Sequence, residues 1–261
     1  MNNKQKVVCI IQARMASSRL PGKVLKDICG HPMLYWVLNR AGKSEKVDEL
    51  VIATTLDRSD DPIVEWCQQK NIHCFRGDAL DVLDRYYQAA KKFQADVVIR
   101  LTADCPLIDP QLLDDVLDAF FEKKVDFGAN RLPPPFTRTY PIGLDIEVVS
   151  FKALSEAWKK AKLPYEREHV MPHLYAVKDR FNILVLEADQ DHGNRRWTVD
   201  TPEDLEFIRA VYQEPGFQHD FSWLEVLRFL DEHPALEQIN ADISHKTFYD
   251  VDTRSKKKIG K

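Results

Sequence analysis

The stretch Val7-Val-Cys-Ile-Ile-Gln-Ala-Arg-Met-Ala-Ser-Ser-Arg-Leu-Pro-Gly-Lys23 decides how the chain folds. Val7 to Ile11 is a short, largely β-branched run and reads as a buried strand. The loop that follows carries two arginines, two serines, a glycine and a lysine. Outward from it, Leu50 to Ala53 and Val97 to Leu101 repeat the strand pattern, and Ile72 to Phe75 is a shorter instance. Helical spacing fills the gaps. Leu34, Val37 and Leu38 share one face, as do Ile63, Val64, Trp66 and Cys67; Leu83, Tyr86, Tyr87 and Ala90 form another, and Leu113, Val116, Leu117 and Phe120 a fourth. Strand–helix alternation predicts an α/β fold with a mostly parallel sheet covered on both faces. Ligands in such folds bind at the carboxyl ends of the strands. The loops after Ile11, Ala53, Phe75 and Leu101 are therefore the places to look for a site.

The second half is less regular. Residues 130–141 include four prolines and form an irregular loop long enough to be functional. Leu144 to Val149 and Phe181 to Leu186 read as strands, and Lys152 to Ala161 and Phe221 to Leu230 as helices. Thr201-Pro202-Glu203 is a helix start, opening a helix to Tyr212. No internal repeat or linker divides the chain, so residues 1–245 are expected to form one domain. Residues 246–261, ending in a basic run, are expected to be a flexible tail.

Composition bounds the function. Of 261 residues, 44% are hydrophobic and 30% charged, a soluble globular balance, and the net charge of −4 argues against nucleic acid as a partner. The five cysteines form no C-x-x-C pair and are expected to be reduced and mostly in the core. Met1 to Lys6 does not read as a signal peptide, and no apolar run approaches a membrane span. A cytoplasmic location follows as an expectation.

The loop from Ile11 to Lys23 has what a triphosphate needs, namely backbone N–H groups, hydroxyls and cations. It is not a Walker A loop, because Ser17 stands where the first glycine belongs and Val24 follows Lys23. Asp104 closes the strand in Arg100-Leu-Thr-Ala-Asp-Cys-Pro106 and suits a hard cation such as Mg²⁺, or caps a loop or helix. Asp200, in Arg195-Arg-Trp-Thr-Val-Asp200, reads equally as a second metal ligand or a turn acid. Arg76 and Asp78 face a nucleotide, or Asp78 caps a helix. His169 and His173, four apart with Pro172 between them, make a poor zinc pair; His169 is either a sugar contact or a packing residue. Asp145 and Glu147 either touch sugar hydroxyls or are outward acids of a half-buried strand. Trp36, Trp66 and Tyr86 read as core.

The strings IIQARMASSRLPGKVLKDICGHPML (10–34), RLTADCPLID (100–109) and WTVDTPEDL (197–205) resemble the cytidylyltransferase superfamily of CMP-Kdo and CMP-sialate synthetases. With FRGDALDVLDRYYQAA (75–90) and YPIGLDIEVVSFKAL (140–154), the pattern is most like the spore coat polysaccharide biosynthesis protein F family. The resemblance spans roughly Val7 to Tyr212. It implies a three-layer α/β/α sandwich of the nucleotide-diphospho-sugar transferase (GT-A-like) type. It also implies transfer of CMP from CTP to an acidic sugar of the 2-keto acid type, with release of pyrophosphate, and often a homodimer.

On that basis Lys23, Arg14 and Asp104 are the expected catalytic residues. Gln12, Ala13, Arg14, Ser17, Ser18, Arg19, Lys23, Thr54, Arg76, Asp78 and Arg100 are expected to hold the nucleotide. Asn130, Arg138, Tyr140, Gly143, Glu147 and His169 are expected on the sugar side, with Mg²⁺ on Asp104 and Asp200. Two departures leave the sugar, and CTP against UTP, open. Gln12 stands where those synthetases usually have proline, and Asp104 sits in Thr-Ala-Asp-Cys-Pro rather than Gly-Asp-Glu-Pro. The alternatives are a glycosyltransferase on the same fold, for which Asp189-Gln-Asp191 would be the metal motif, and a non-catalytic nucleotide-binding subunit.

Overall fold

The computed structural model describes residues 4–133, 136–176 and 179–244. In chain order come β1 (Val7–Gln12), a small hairpin of β2 (Asp27–Ile28) and β3 (His31–Pro32), α1 (Met33–Ala41), β4 (Glu49–Thr55), α2 (Asp61–Gln69) and β5 (His73–Gly77). Then follow α3 (Val82–Lys92), β6 (Val97–Thr102), α4 (Pro110–Lys123), β7 (Phe127–Ala129), β8 (Glu147–Ser150) and α5 (Phe151–Lys160). The last are α6 (Pro164–His169), α7 (Pro172–Ala176), β9 (Ile183–Val185), α8 (Pro202–Gln213) and α9 (Trp223–Glu232).

Among the described residues the main sheet has the order β5-β4-β1-β6-β8-β7-β9. All its pairings are parallel except those of β8, which runs against both β6 and β7. The two-residue period of a strand divides each central strand between two cores. Val7, Cys9 and Ile11 face one core, while Val8 and Ile10 face the other; Val97, Ile99 and Leu101 oppose Val98 in the same way. The first core is closed by α1, α2, α4, α8 and α9, and the second by α3, α5 and α7. The fold is thus α/β, a mostly parallel sheet between two helical layers. Burying β1 and β6 on both faces is what makes them read as continuous apolar runs. The cysteines are free; Cys9, Cys67 and Cys105 are buried and Cys29 and Cys74 half-buried.

Several boundaries differ from the sequence expectation. The strand expected at Leu144–Val149 is β8, Glu147–Ser150, because the residues before it are held by a side chain rather than by a ladder. Buried Asn130 donates to the Leu144 carbonyl (2.6 Å) and accepts from the Ile146 N–H (2.9 Å). The short strand expected at Ile72–Phe75 is β5, at the sheet edge and shifted toward Gly77. The strand expected at Phe181–Leu186 shortens to β9, and the last helix begins at Trp223 because Ser222 caps it with Glu225. Between His169 and His173 the helix breaks, as Pro172 requires; α6 and α7 meet at Val170, whose φ is +72°. The tail expected at 246–261 lies outside the described residues.

The turn into α8 fixes one wall of the site. Thr201 and Pro202 start the helix, the Thr201 hydroxyl accepting from the Asp204 N–H at 3.3 Å. Fully buried Asp204 accepts from the N–H groups of Asp200 (2.9 Å) and Thr201 (3.0 Å), from Arg196 (2.8 Å on each oxygen) and from the Asn240 amide (3.0 Å). The strand end that carries Asp200 is therefore held by a saturated buried carboxylate. Asp204→Ala leaves Arg196 buried without its main counter-charge and is expected to cost about 3–5 kcal/mol in urea unfolding. Asn240→Ala, which removes neutral donors, is expected to cost about 1–2 kcal/mol.

Candidate active site

A cleft of about 680 Å³ opens at the carboxyl ends of β1 and β6. The loop after β1 forms one side of it. Gln12 anchors the start of that loop, its carbonyl accepting from the Ala103 N–H, while the Ala13 N–H donates to the Ala53 carbonyl. The Met15 carbonyl then accepts from both Ser17 (3.0 Å) and Gly22 (2.9 Å), curling the loop back on itself. Gly22 has a φ of +68°, a left-handed conformation natural for glycine, and a side chain there would press on Met15. From below, buried Asp60 accepts from the Met15 N–H (2.7 Å) and from the Thr55 N–H (3.2 Å) and hydroxyl. Arg14, Ser17, Ser18, Arg19 and Lys23 consequently all line the cleft.

Lys23 is the centre of charge. Its ammonium lies 2.7 Å from Asp104 Oδ2, 2.8 Å from Asp200 Oδ1 and 2.8 Å from the Val199 carbonyl. Burial opposes its charge, but Asp104 and then Asp200 outweigh burial and raise its pKa, so the lysine is protonated at neutral pH. Asp200 is also held by Arg19 (2.7 Å) and Arg196 (3.2 Å). Burial pushes the Asp200 carboxyl up, yet Lys23, then Arg19 and Arg196, bring it down to about 2. The neighbouring thiol of Cys105 is raised well above its ordinary range by burial first and by Asp104 second.

Two carboxylates that share one ammonium point at a common position, and that is the donor set of a Mg²⁺ that completes its shell with phosphate and water. No group of three or more His, Cys, Asp or Glu side chains among the described residues forms an all-protein metal cage. The residues fit a phosphate-borne Mg²⁺ and do not fit a structural zinc.

The far wall is different in kind. Ala79, Leu80 and Val82 are apolar, and Arg85 behind them is 2% exposed. Arg85 donates to the Asp78 carbonyl at 2.9 Å, its buried Nε has no hydrogen-bond partner among the described residues, and burial lowers its pKa. At the floor, Arg100 pairs with buried Glu147 and reaches Gln12 Oε1 at 3.3 Å. Glu168 and His169 close the rim from the end of α6.

Of the residues expected from sequence, the cleft brings together Gln12, Ala13, Arg14, Ser17, Ser18, Arg19, Lys23, Arg100, Asp104, Asp200 and His169. The others lie outside its lining. Thr54 is fully buried in β4. Arg76 braces Asp61 (2.7 Å) and the carbonyls of Thr55 and Asp57. Asp78 does not cap the helix, because Asp81 is the N-cap of α3; it holds the preceding turn by accepting from the N–H groups of Leu80 (2.7 Å) and Asp81 (2.9 Å). Asn130 ties down residues 144–146, Arg138 pairs with Asp145, and Tyr140 packs edge-on to Trp223. Gly143, at φ +112°, lies so close to Trp197 and Thr198 that a Cβ would stand 2.7 Å from their backbone. Asp189 and Asp191 lie outside the lining as well, Asp191 accepting from the Gly193 N–H.

Sequence reasoning passed over Asp60, Arg85, Glu168 and Arg196. A signal existed for Asp60, an acid following a strand end in Thr55-Leu-Asp-Arg-Ser-Asp60, and for Arg85, a cation on the apolar face of a helix pattern. Because the folded Asp200 pKa lies below its ordinary value, its contribution to stability is complete above about pH 4 and is lost as pH falls toward about 2. The stability difference between wild type and Asp200→Asn, measured by guanidinium unfolding, is therefore expected to shrink across that window. A difference independent of pH would contradict the ion-pair geometry.

Known proteins resemble the chain along most of its length. The family model for cytidylyltransferases matches residues 8–227. The spore coat polysaccharide biosynthesis protein SpsF of Bacillus subtilis is 33% identical over 235 residues, covering 87% of this chain and 95% of that protein. A 3-deoxy-manno-octulosonate cytidylyltransferase of a Psychrobacter species is 38% identical over 238 residues, covering 87% of this chain and 83% of the relative. The structure of a cytidylyltransferase from Leptospira borgpetersenii superposes with a TM-score of 0.84 at 33% identity, covering 93% of this chain and all of the other. The chain belongs to the cytidylyltransferase family.

Proposed function

We propose that this nucleotidyltransferase joins CMP from CTP to an acidic sugar of the 2-keto acid type, with release of pyrophosphate, in the cytoplasm and as a homodimer, for surface polysaccharide synthesis. The observation that carries the reading is one cleft holding a cationic loop (Arg14, Arg19, Lys23) against two convergent carboxylates (Asp104, Asp200). The related 3-deoxy-manno-octulosonate cytidylyltransferase and the spore coat protein support the sugar class and its destination. No helix among the described residues is long and apolar enough to cross a membrane.

In this reading the triphosphate lies along the loop after β1, its oxygens met by Ser17, Ser18 and the cations. The base enters between Ala79, Leu80 and Val82, against the wall that Arg85 backs. The sugar approaches from the side of His169 and Glu168, with Arg100 at the floor as the cation nearest its carboxylate. The sugar hydroxyl attacks the α-phosphorus and gives up its proton to solvent, and the bond from the α-phosphorus to the bridging oxygen breaks in line to release pyrophosphate. Arg14, Arg19 and Lys23 bind the charge that accumulates on the leaving group, and positioning and electrostatics supply most of the catalysis. Asp104 and Asp200 would hold Mg²⁺, which when bound neutralises phosphate charge as a Lewis acid.

The direct test is pyrophosphate release from CTP, UTP, ATP and GTP with a panel of acidic and neutral sugars. Release with CTP and a 2-keto acid sugar is the expected outcome; release only with another nucleotide or a neutral sugar would replace the substrate assignment. Asp104→Asn is expected to fold and to lose about 10²–10³-fold in kcat. Arg85→Met is expected to raise the KM for CTP about tenfold or more with kcat little changed, since the wall against the base serves ground and transition states alike.

A further inference from the structure

Lys23 has the three acceptors its ammonium can use, in Asp104, Asp200 and the Val199 carbonyl, at 2.7–2.8 Å. Arg19 closes on the other oxygen of Asp200 at 2.7 Å. In the free protein, then, the cations expected to receive the phosphates and the carboxylates expected to receive the metal neutralise one another. A metal arriving alone has to displace a buried ammonium, which then faces a dication a few ångströms away. A triphosphate arriving alone draws Lys23 and Arg19 away and leaves two carboxylates bare beside an anion. When both arrive together, each takes over the partner that the other releases.

We propose that Lys23 is an exchangeable counter-ion for the Asp104–Asp200 pair, excluding divalent metal until a triphosphate takes up the lysine, so that metal and nucleotide bind interdependently. The inference rests on the assignment of Asp104 and Asp200 to the metal and of Lys23 and Arg19 to the phosphates. The coupling is reciprocal, since whatever factor the nucleotide contributes to metal affinity the metal returns to the nucleotide. The lysine thereby also keeps the carboxylates aimed at one point while no metal is present, sparing the site reorganisation on binding.

The experiment counts Mn²⁺ bound to the whole chain through loss of the free ion's EPR signal, with no turnover involved. Without nucleotide, Lys23→Met is expected to bind Mn²⁺ at least about tenfold more tightly than wild type, and Asp104→Asn in the same background is expected to abolish the gain. Equal affinity in wild type and Lys23→Met overturns the proposal. In wild type, α,β-methylene-CTP is expected to tighten Mn²⁺ binding by about tenfold or more. Unchanged Mn²⁺ affinity, with the analogue shown by dialysis to be bound, also overturns it and settles the matter even if Lys23→Met does not fold. Failure of the analogue to bind at all instead overturns the nucleotide reading, and the nucleotide-free comparison then judges Lys23 by itself.

Discussion

The ammonium of Lys23 joins three pieces of chain that are remote in sequence: the loop after β1, the end of β6 at Asp104, and the turn before α8 at Asp200. Each piece arrives by a different route. Asp60 and Gly22 shape the loop, the central parallel ladder places Asp104, and the Asp204 clasp places Asp200. Two acids this close would repel one another without a cation between them, and a lysine this deeply buried would be costly without two anions. The three groups are stable only as a set, so the position of each is a condition on the other two.

A second buried pair, Arg100 with Glu147, sits where the sheet changes direction. β6 is the last of the central run of parallel strands and β8 opposes it, so the ion pair joins across the β6–β8 boundary. One partner of that pair lines the cleft and the other lies behind it. Arg100 therefore meets the cleft as a cation whose charge is already partly answered, and this tempers its attraction for an anionic ligand relative to a free arginine.

Much of this was legible in the residues, and the exceptions follow a rule. β1, β4 and β6 stand out because burial on both faces demands unbroken apolar runs, and Thr201-Pro202 marks a helix start by local chemistry alone. The cluster at Arg14, Ser17, Arg19, Lys23 and Asp104 was readable because strand ends in such a sheet converge on one crevice. Residues whose role depends on a distant partner were not readable. Asn130 reads as a sugar contact because nothing local reveals that it holds residues 144–146, and Arg76 reads as a nucleotide contact because its partner Asp61 is fifteen residues away. Glu147 offered two readings as an acid on a strand and became a third thing, a buried counter-ion. Arg85 and Asp60 were overlooked because a charge inside an apolar pattern is ordinarily discounted.

The reversal at β8 has an evolutionary consequence. The strands that carry the cationic loop and Asp104 lie on one side of it, and β7 and β9 lie on the other, while α5 and α6 reach back to α3 through Trp158–Asp84 and Arg167–Asp81. Substitutions and insertions in the loops of residues 130–195 can accumulate without moving β1, β4 or β6, provided the β6–β8 ladder, the tie through Glu147, the contacts of α5 and α6 with α3 and the packing of Gly143 under Trp197 are kept. A lineage built this way can inherit its energy-coupling half intact while trying new acceptors on the other half. Its diversity would then be concentrated in about one contiguous quarter of the gene.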